Sequence, residues 1–241
     1  MRNSTSMTIE DSLMQSRTTR ITVWDRFIRL FHWALLAAVV ISFYTTKTMG
    51  APFLFPIEVH AQAGYLIIGL LVFRFIWGLV GSTYARFSTF LYGPKTTAQY
   101  TKALITRRAP RYASHNPLGG WMVILLLASL AFQAVSGLFL SDDIFFQAPL
   151  YGLFGPALGD VLPRLHSWNS DLLLILIGIH LAGLIWHALQ GEHLVSAMLT
   201  GVKRFSSAPA DEQPATYPAP KRYAMGALLV AAGVSGWLWF Y

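Results

Sequence analysis

The sequence predicts an all-α integral membrane protein with four transmembrane helices and a fifth at the C-terminus. Of its 241 residues, 54% are hydrophobic and only 12% are charged, and the mean hydropathy is +0.48. So little charge does not suit a soluble domain of this length. The apolar residues also cluster into five long runs, each near the length that a bilayer core of about 30 Å requires.

These runs divide the chain into segments. They cover residues 27–46, 61–81, 119–140, 170–189 and 225–240. We assign 1–22 to a polar cytoplasmic tail, 23–204 to one transmembrane domain, 205–222 to a flexible Pro- and Ala-rich linker, and 223–241 to a C-terminal transmembrane helix. The first twenty residues lack the apolar stretch of a cleavable signal peptide, and their polarity predicts disorder.

The charge of the connecting segments predicts the orientation of the spans. Residues 82–118 contain six basic residues and no acidic residue, whereas residues 141–169 carry Asp142, Asp143 and Asp160 against one basic residue. Because cytoplasmic loops are enriched in Lys and Arg, the pattern predicts a bacterial inner-membrane protein with a cytoplasmic N-terminus and an acidic outer loop. A crossing fifth span would put the C-terminus in the periplasm. Topology therefore explains the net charge of +7 better than nucleic-acid binding does.

Four histidines lie near the ends of three spans. His166 and His180 are 14 residues apart on the fourth span, which is about 21 Å along a helix and about 40° short of four whole turns. The two imidazoles therefore share a face. His32 lies at the inner end of the first span and His60 at the outer end of the second, so topology pairs His32 with His180 and His60 with His166.

Each pair suits bis-imidazole coordination of one haem iron. The chain has no cysteine, so any haem is held without covalent attachment and no thiolate-bound cluster is expected. The alternative interpretation is that the four histidines are interfacial or structural. Ionisable groups inside spans are usually functional, which favours the ligand interpretation.

Arg74 lies deep in the second span, again 14 residues after its histidine, His60. A guanidinium in an apolar span is costly unless its charge is satisfied, and two ways of doing so are possible. The side chain could snorkel to the cytoplasmic surface, or it could pair with a propionate of a haem at the depth of His180. Arg29, just inside the first span, is a second candidate for contact with that haem.

Three further polar residues have more ordinary interpretations. Gln133 is the strongest polar group of the third span and is expected to bridge helices or to face a cavity. His115 is expected to face water or headgroups. His187, seven residues after His180, could carry protons or contact a propionate, but its position also suits a surface histidine.

Several segments carry a family resemblance: VWDRFIRLFHW, HAQAGYLIIGLLVFRFIWGLVGSTYARF, HNPLGGWMV and HSWNSDLLLILIGIHLAGL followed by EHLVSAMLTGVKR. The chain resembles the bacterial cytochrome b561 family, which includes the cytochrome b subunit of nickel–iron hydrogenases, over residues 23–204. The resemblance implies a four-helix bundle holding two b haems on His32, His60, His166 and His180. It also implies electron exchange with the quinone pool.

The functional hypotheses differ in their partners. The first is an electron-transfer component of a quinone-linked oxidoreductase, which serves a periplasmic c-type cytochrome or hydrogenase-like subunit. The second is a stand-alone membrane redox enzyme such as a superoxide:quinone oxidoreductase. A transporter or a structural anchor is a third, but internal repeats and broken spans are not evident. The fifth span and the long outer loop favour a partner. An acidic outer loop could attract a basic protein such as a c-type cytochrome, and the alternative interpretation is that its three aspartates are ordinary solvated residues.

Overall fold

The computed structural model describes residues 19–47, 57–142, 144, 146–153, 155, 159–213 and 217–241. Five helices in this part of the chain are long and apolar enough to cross a membrane, which confirms the five predicted spans. They are α1 (Arg26–Lys47), α2 (Ile57–Val80), α4 (Pro117–Gly137), α5 (Leu162–Leu189) and α7 (Lys221–Phe240).

Local sequence signals explain where two of the spans begin. The Asp25 carboxylate accepts the backbone N–H groups of Phe27 and Ile28 at 2.8 and 2.9 Å, so it caps α1. Asn116 caps α4 by accepting the N–H of Gly119, and Pro117 occupies the first turn, where its missing N–H costs nothing.

The spans pack as a continuous series, with α1 against α2, α2 against both α4 and α7, and α4 against α5. The contact between α2 and α7 depends on small residues. A Cβ atom at Gly69 would lie only 2.9 Å from the carbonyl oxygen of Ala231, and the Ser235 hydroxyl donates to the carbonyl of Tyr65 at 3.0 Å. The fifth span is therefore part of the packed bundle.

A two-stranded antiparallel ribbon connects the start of the bundle to the end of its fourth span. Strand β1 (Thr19–Thr22) pairs with β2 (Val202–Phe205), which follows the short helix α6 (Leu194–Thr200). We call this end of the bundle the ribbon end, and the opposite end, with residues 138–161, the loop end. The ribbon was not expected in an all-α chain; it forms because Ile21 and Phe205 both bury their side chains.

The ribbon end also contains helix α3 (Pro94–Ile105), in a segment that the sequence analysis treated as a basic loop. The structure differs more strongly from the predicted flexible linker at 205–222. The Asp211 carboxylate accepts the N–H groups of Ala113 and Ser114, and Tyr217 exchanges two hydrogen bonds with Thr83. The described part of the linker is thus held against the loop that precedes α4. Of the tail, residues 1–18 lie outside the described residues, and the rest forms β1.

Candidate functional site

At the loop end, the structure brings the imidazole rings of His60 of α2 and His166 of α5 close together. Their ring centroids are 6.3 Å apart, and the ring planes are inclined by 74°. Metal–imidazole bonds of about 2 Å leave room for one metal ion between two rings at this separation. These two predicted site residues are therefore arranged as opposing axial ligands would be. We call them the loop-end pair.

Hydrogen bonds fix the tautomer of both rings of the loop-end pair. Nδ1 of His60 lies 3.0 Å from the carbonyl oxygen of Ser42, which can only accept, so this nitrogen carries the proton. Nδ1 of His166 lies 2.9 Å from the hydroxyl oxygen of Ser136. That hydroxyl donates its own hydrogen to the carbonyl of Gln133 at 3.1 Å. Its oxygen therefore accepts the hydrogen bond from His166. Both Nε2 atoms are left with a lone pair for a metal.

The last turn of α4 also positions the His166 ring by close packing. A Cβ atom at Gly137 would lie 3.4 Å from Cε1 of His166, at van der Waals contact, so the helix backbone passes close beside the ring. Ser136 and Gly137 together form a platform for this imidazole.

At the ribbon end, His32 of α1 and His180 of α5 are close enough to interact electrostatically. We call them the ribbon-end pair. Nδ1 of His32 is buried and has no hydrogen-bond partner among the described residues. A buried imidazole nitrogen without a partner is costly, and binding a ligand would remove part of that cost.

His115 does not face water or headgroups, so that expectation was wrong. Its ring lies between the rings of Trp24 and Phe90, at centroid distances of 4.8 and 4.6 Å. Burial above all, with the positive charges of Arg74 and Lys203 and the nearby ribbon-end pair, lowers its pKa to about 3. His115 is therefore a neutral residue held between aromatic rings at this end of the bundle.

Arg74 is 5% exposed, so it does not snorkel to the surface. Its guanidinium donates to the carbonyl of Ala85 at 3.1 Å and stacks over the ring of Phe87 at 4.5 Å. It also acts electrostatically on His115, and the carboxylate of Asp25 acts on Arg74 as an opposite charge. Arg29 donates to the carbonyl of Leu199 and thereby joins α1 to α6. Contact of either cation with a haem stays a prediction.

The structure also shows the contacts of Gln133 and His187, for which the sequence left alternatives open. Gln133 bridges helices, because its side-chain oxygen accepts from Asn169 of α5 at 2.6 Å. His187 is part of a ribbon-end network rather than a free surface group: its Nε2 lies 3.0 Å from the amide nitrogen of Asn116, and its Nδ1 lies 3.3 Å from Glu192. Burial raises the pKa of Glu192, but His187 and nearby cations outweigh it and hold that pKa below its usual value.

The donor set fits a haem better than a bare metal ion. In the described part of the chain, no three His, Cys, Asp or Glu side chains are grouped as a metal ion would need. Two imidazoles suffice for a haem, since the porphyrin supplies the four remaining nitrogen ligands. Two opposed imidazoles in apolar spans, without thiols, define a membrane b-type cytochrome.

The family model of prokaryotic cytochrome b561 matches residues 23–201, so the chain belongs to that family. It is 23% identical to the probable Ni/Fe-hydrogenase B-type cytochrome subunit of Rhizobium leguminosarum bv. viciae, over 77% of this chain and 89% of the relative. Proteins of the same description from Cupriavidus necator (23%; 82% and 93% covered) and Azotobacter chroococcum mcd 1 (24%; 78% and 90%) are also similar. No solved structure matches the chain.

Family and structure together define a multi-pass membrane protein that binds haem b and has an electron-transfer role. The residues that orient the loop-end pair could not be identified from the sequence. Ser136 lies four residues before the predicted end of the third span, and Ser42 contributes only a backbone carbonyl. No spacing signal marks either of them, because each contacts a histidine on a different helix.

Proposed function

We propose that the chain is a diheme cytochrome that carries electrons between the quinone pool and a periplasmic redox protein. His60 with His166 would hold one haem b, and His32 with His180 would hold the second. When bound, each haem supplies a one-electron ferric/ferrous couple. The observation that carries the proposal is the loop-end pair, whose ring centroids lie 6.3 Å apart and whose Nδ1 atoms are both hydrogen-bonded, which leaves both Nε2 atoms available to a metal.

The transmembrane helices set the distance between the two histidine pairs and their surroundings. The spans separate the two histidine pairs by about four helical turns along α5, a distance of about 21 Å. Leu173 and Leu176 of α5 are buried between the two levels, so that part of the bundle is packed with apolar side chains. An apolar surrounding and fixed ring orientations favour rapid electron transfer, since little has to reorganise when charge changes.

Orientation follows from charge. We infer that the ribbon end faces the cytoplasm, because residues 82–118 carry six basic residues and no acidic residue. This places the N-terminus in the cytoplasm of a bacterial cell, the loop-end pair near the periplasm, and the C-terminus of α7 in the periplasm.

The relatives support a partner protein. Those named above are described as subunits of Ni/Fe-hydrogenases, which favours an electron-transfer subunit over a stand-alone superoxide:quinone oxidoreductase. We propose that the partner is a periplasmic redox protein, either a hydrogenase-like subunit or a c-type cytochrome, and that a quinone is the membrane-soluble substrate.

The acidic loop provides a test of partner docking. Asp142 accepts the N–H groups of Ile144 and Phe146 through one oxygen, Asp160 is exposed, and Asp143 lies outside the described residues. Replacing all three aspartates by Asn should slow electron transfer to a basic c-type cytochrome roughly tenfold at low salt, because electrostatic steering is lost. Stopped-flow absorbance measures this rate, and reduction of the haems by a quinol analogue should be unchanged.

Glu212 is the matched control for this experiment, since it is an exposed acid at the opposite, ribbon end. Glu212→Gln should leave the transfer rate and its salt dependence as they are. A triple variant that transfers electrons as fast as the parent at low salt would contradict docking at the acidic loop. Failure of any quinol analogue to reduce the haems, while dithionite reduces them, would contradict the quinone-linked function itself.

A further inference from the structure

We propose that the ribbon end binds the headgroups of anionic phospholipids along helix α3 and the turn that follows it. We call residues 94–108 the α3 surface. Its phosphate-binding groups are four basic side chains: Lys95, Lys102, Arg107 and Arg108. The proposal goes beyond electron transfer, and it depends neither on haem binding nor on the orientation of the chain.

The α3 surface lies at the depth where span α4 begins. Helix α3 packs against α4, and the indole N–H of Trp121 donates to the carbonyl of Tyr92, just before α3, at 3.1 Å. Trp121 is the fifth residue of α4, so it lies about 6 Å along the helix from the start of that span. It is also 43% exposed, and exposed tryptophans are typical of the membrane interface. Helix α3 is therefore held at headgroup depth.

Helix α3 packs one face on the bundle and exposes its lysines on the opposite face. Tyr100 is only 5% exposed, and its ring packs edge-on against the ring of Tyr112 at a centroid distance of 5.6 Å. Lys95 and Lys102 are seven residues apart, so they share a face that lies about 140–160° around the helix from Tyr100. Both lysines are exposed and are accessible to a ligand outside the bundle.

Exposed apolar residues lie on one side of the two lysines. Ile105 lies about 60–80° from them around the helix and is 77% exposed, and Leu91, which precedes the helix, is 39% exposed. Gln99 lies on the other side of the lysines, about 40–60° away. A basic stripe between an apolar side and a polar side is typical of a helix that lies in the membrane interface. An acidic protein would match the cations but not these apolar residues, so the pattern favours lipid.

The four basic side chains form no ion pair with a carboxylate in the part of the chain that the structure describes. Residues 82–118 contain no acidic residue, and the nearby carboxylate of Glu192 already contacts Arg111 and His187. Cations that the protein does not neutralise attract the phosphates of anionic lipids when they lie near the bilayer surface.

Arg107 has a backbone conformation that is uncommon for its residue type. Its φ is +56°, and no other non-glycine residue among those described has a positive φ. It ends α3 in a Schellman motif, in which the N–H groups of Arg107 and Arg108 bond to the carbonyls of Leu104 and Ala103 at 3.1 and 2.8 Å. Glycine is the usual residue at this position, because a Cβ atom disfavours left-handed backbone. A strained arginine where glycine would end the helix indicates a role for its side chain.

The test is binding of dioleoylphosphatidylglycerol to the full chain in mild detergent, measured by native mass spectrometry, with dioleoylphosphatidylcholine as the neutral lipid. The parent chain should bind the anionic lipid more tightly than the neutral one. Arg107→Gln with Arg108→Gln should weaken binding of the anionic lipid roughly fivefold for each charge removed and leave the neutral lipid unaffected. Lys95→Gln with Lys102→Gln should have the same effect.

Arg20→Gln with Arg204→Gln is the matched control, because it removes two positive charges from exposed, paired residues of the ribbon. Its preference for the anionic lipid should equal that of the parent. Equal weakening in the control and in the Arg107 and Arg108 variant would show that only net charge matters, and this would overturn the proposal.

Arg107→Gly separates lipid binding from the stability of the helix. Glycine relieves the left-handed strain, so the thermal midpoint in micelles with phosphatidylcholine should equal or exceed that of the parent. The further rise that phosphatidylglycerol gives the parent should be smaller in Arg107→Gly and retained in Arg107→Lys. Inorganic phosphate at the same concentration should give no rise.

Three results of the midpoint measurement would overturn the proposal. An equal fall in both lipids for Arg107→Gly would show that the cation serves the helix dipole instead. An undiminished rise with phosphatidylglycerol in that variant would show that Arg107 contacts no lipid. A rise with inorganic phosphate as large as that with phosphatidylglycerol would show a site for the free anion.

Discussion

His60→Ala and His166→Ala are each expected to abolish the same haem and to leave the other in place. The two ring centroids are 6.3 Å apart, so either substitution would remove one of the two proposed ligands of one iron. His32→Ala and His180→Ala should remove the second haem. Reduced-minus-oxidised spectra of isolated membranes measure both losses, and the expected result is about half of the parent haem in each single variant.

His193→Ala is the control for this set, since His193 lies outside the spans, where its backbone begins α6. It should retain the full haem content. If His60→Ala lost the same spectral component as His32→Ala and not that of His166→Ala, the pairing would be wrong. A double variant, His60→Ala with His180→Ala, should contain no haem at all.

Asp25→Ala should destabilise the ribbon end. Its carboxylate caps α1 and accepts from the indole of Trp77 at 2.9 Å and from the Ser82 hydroxyl. Losing the cap costs about 1 kcal/mol, and leaving the buried Trp77 N–H unpaired costs about 1–3 kcal/mol more. Thermal unfolding in mild detergent, followed by far-ultraviolet circular dichroism, should show a clearly lower midpoint.

Asp25→Asn separates the two contributions to this loss. Its amide oxygen can still cap α1, but its NH2 group cannot accept from Trp77, so an intermediate midpoint is expected. Asp160→Ala, an exposed residue of the loop end, should leave the midpoint unchanged. An Asp25→Ala midpoint equal to that of the parent would show that the α1–α2 junction does not depend on this carboxylate.

Local and periodic features of this protein could be predicted from its sequence. The apolar runs identified all five spans, because a bilayer imposes a length and a composition that are visible in any single segment. The 14-residue spacing on α5 placed His166 and His180 at opposite ends of one face, and charge alternation paired them with His60 and His32. The structure then opposes His60 and His166 directly.

Contacts between distant segments could not be predicted in the same way. Asp211 bonds to Ala113 and Ser114 across nearly one hundred residues, so the linker composition gave no sign that it is held in place. The prediction that His115 faces water or headgroups was wrong for a related reason. Turn residues surround it in sequence, but Trp24 and Phe90 enclose it in space. Ser136 orients His166 from another helix and has no spacing signal of its own.

Haem stoichiometry tests the central claim most directly. Purified chain should contain two haems per polypeptide, measured as the pyridine haemochrome against quantitative amino-acid analysis. Acidified acetone should extract both, because the chain has no cysteine to attach them. Two extractable b haems with low-spin spectra are the result that the four histidines predict. One haem, none, or a haem that stays with the polypeptide would contradict the account.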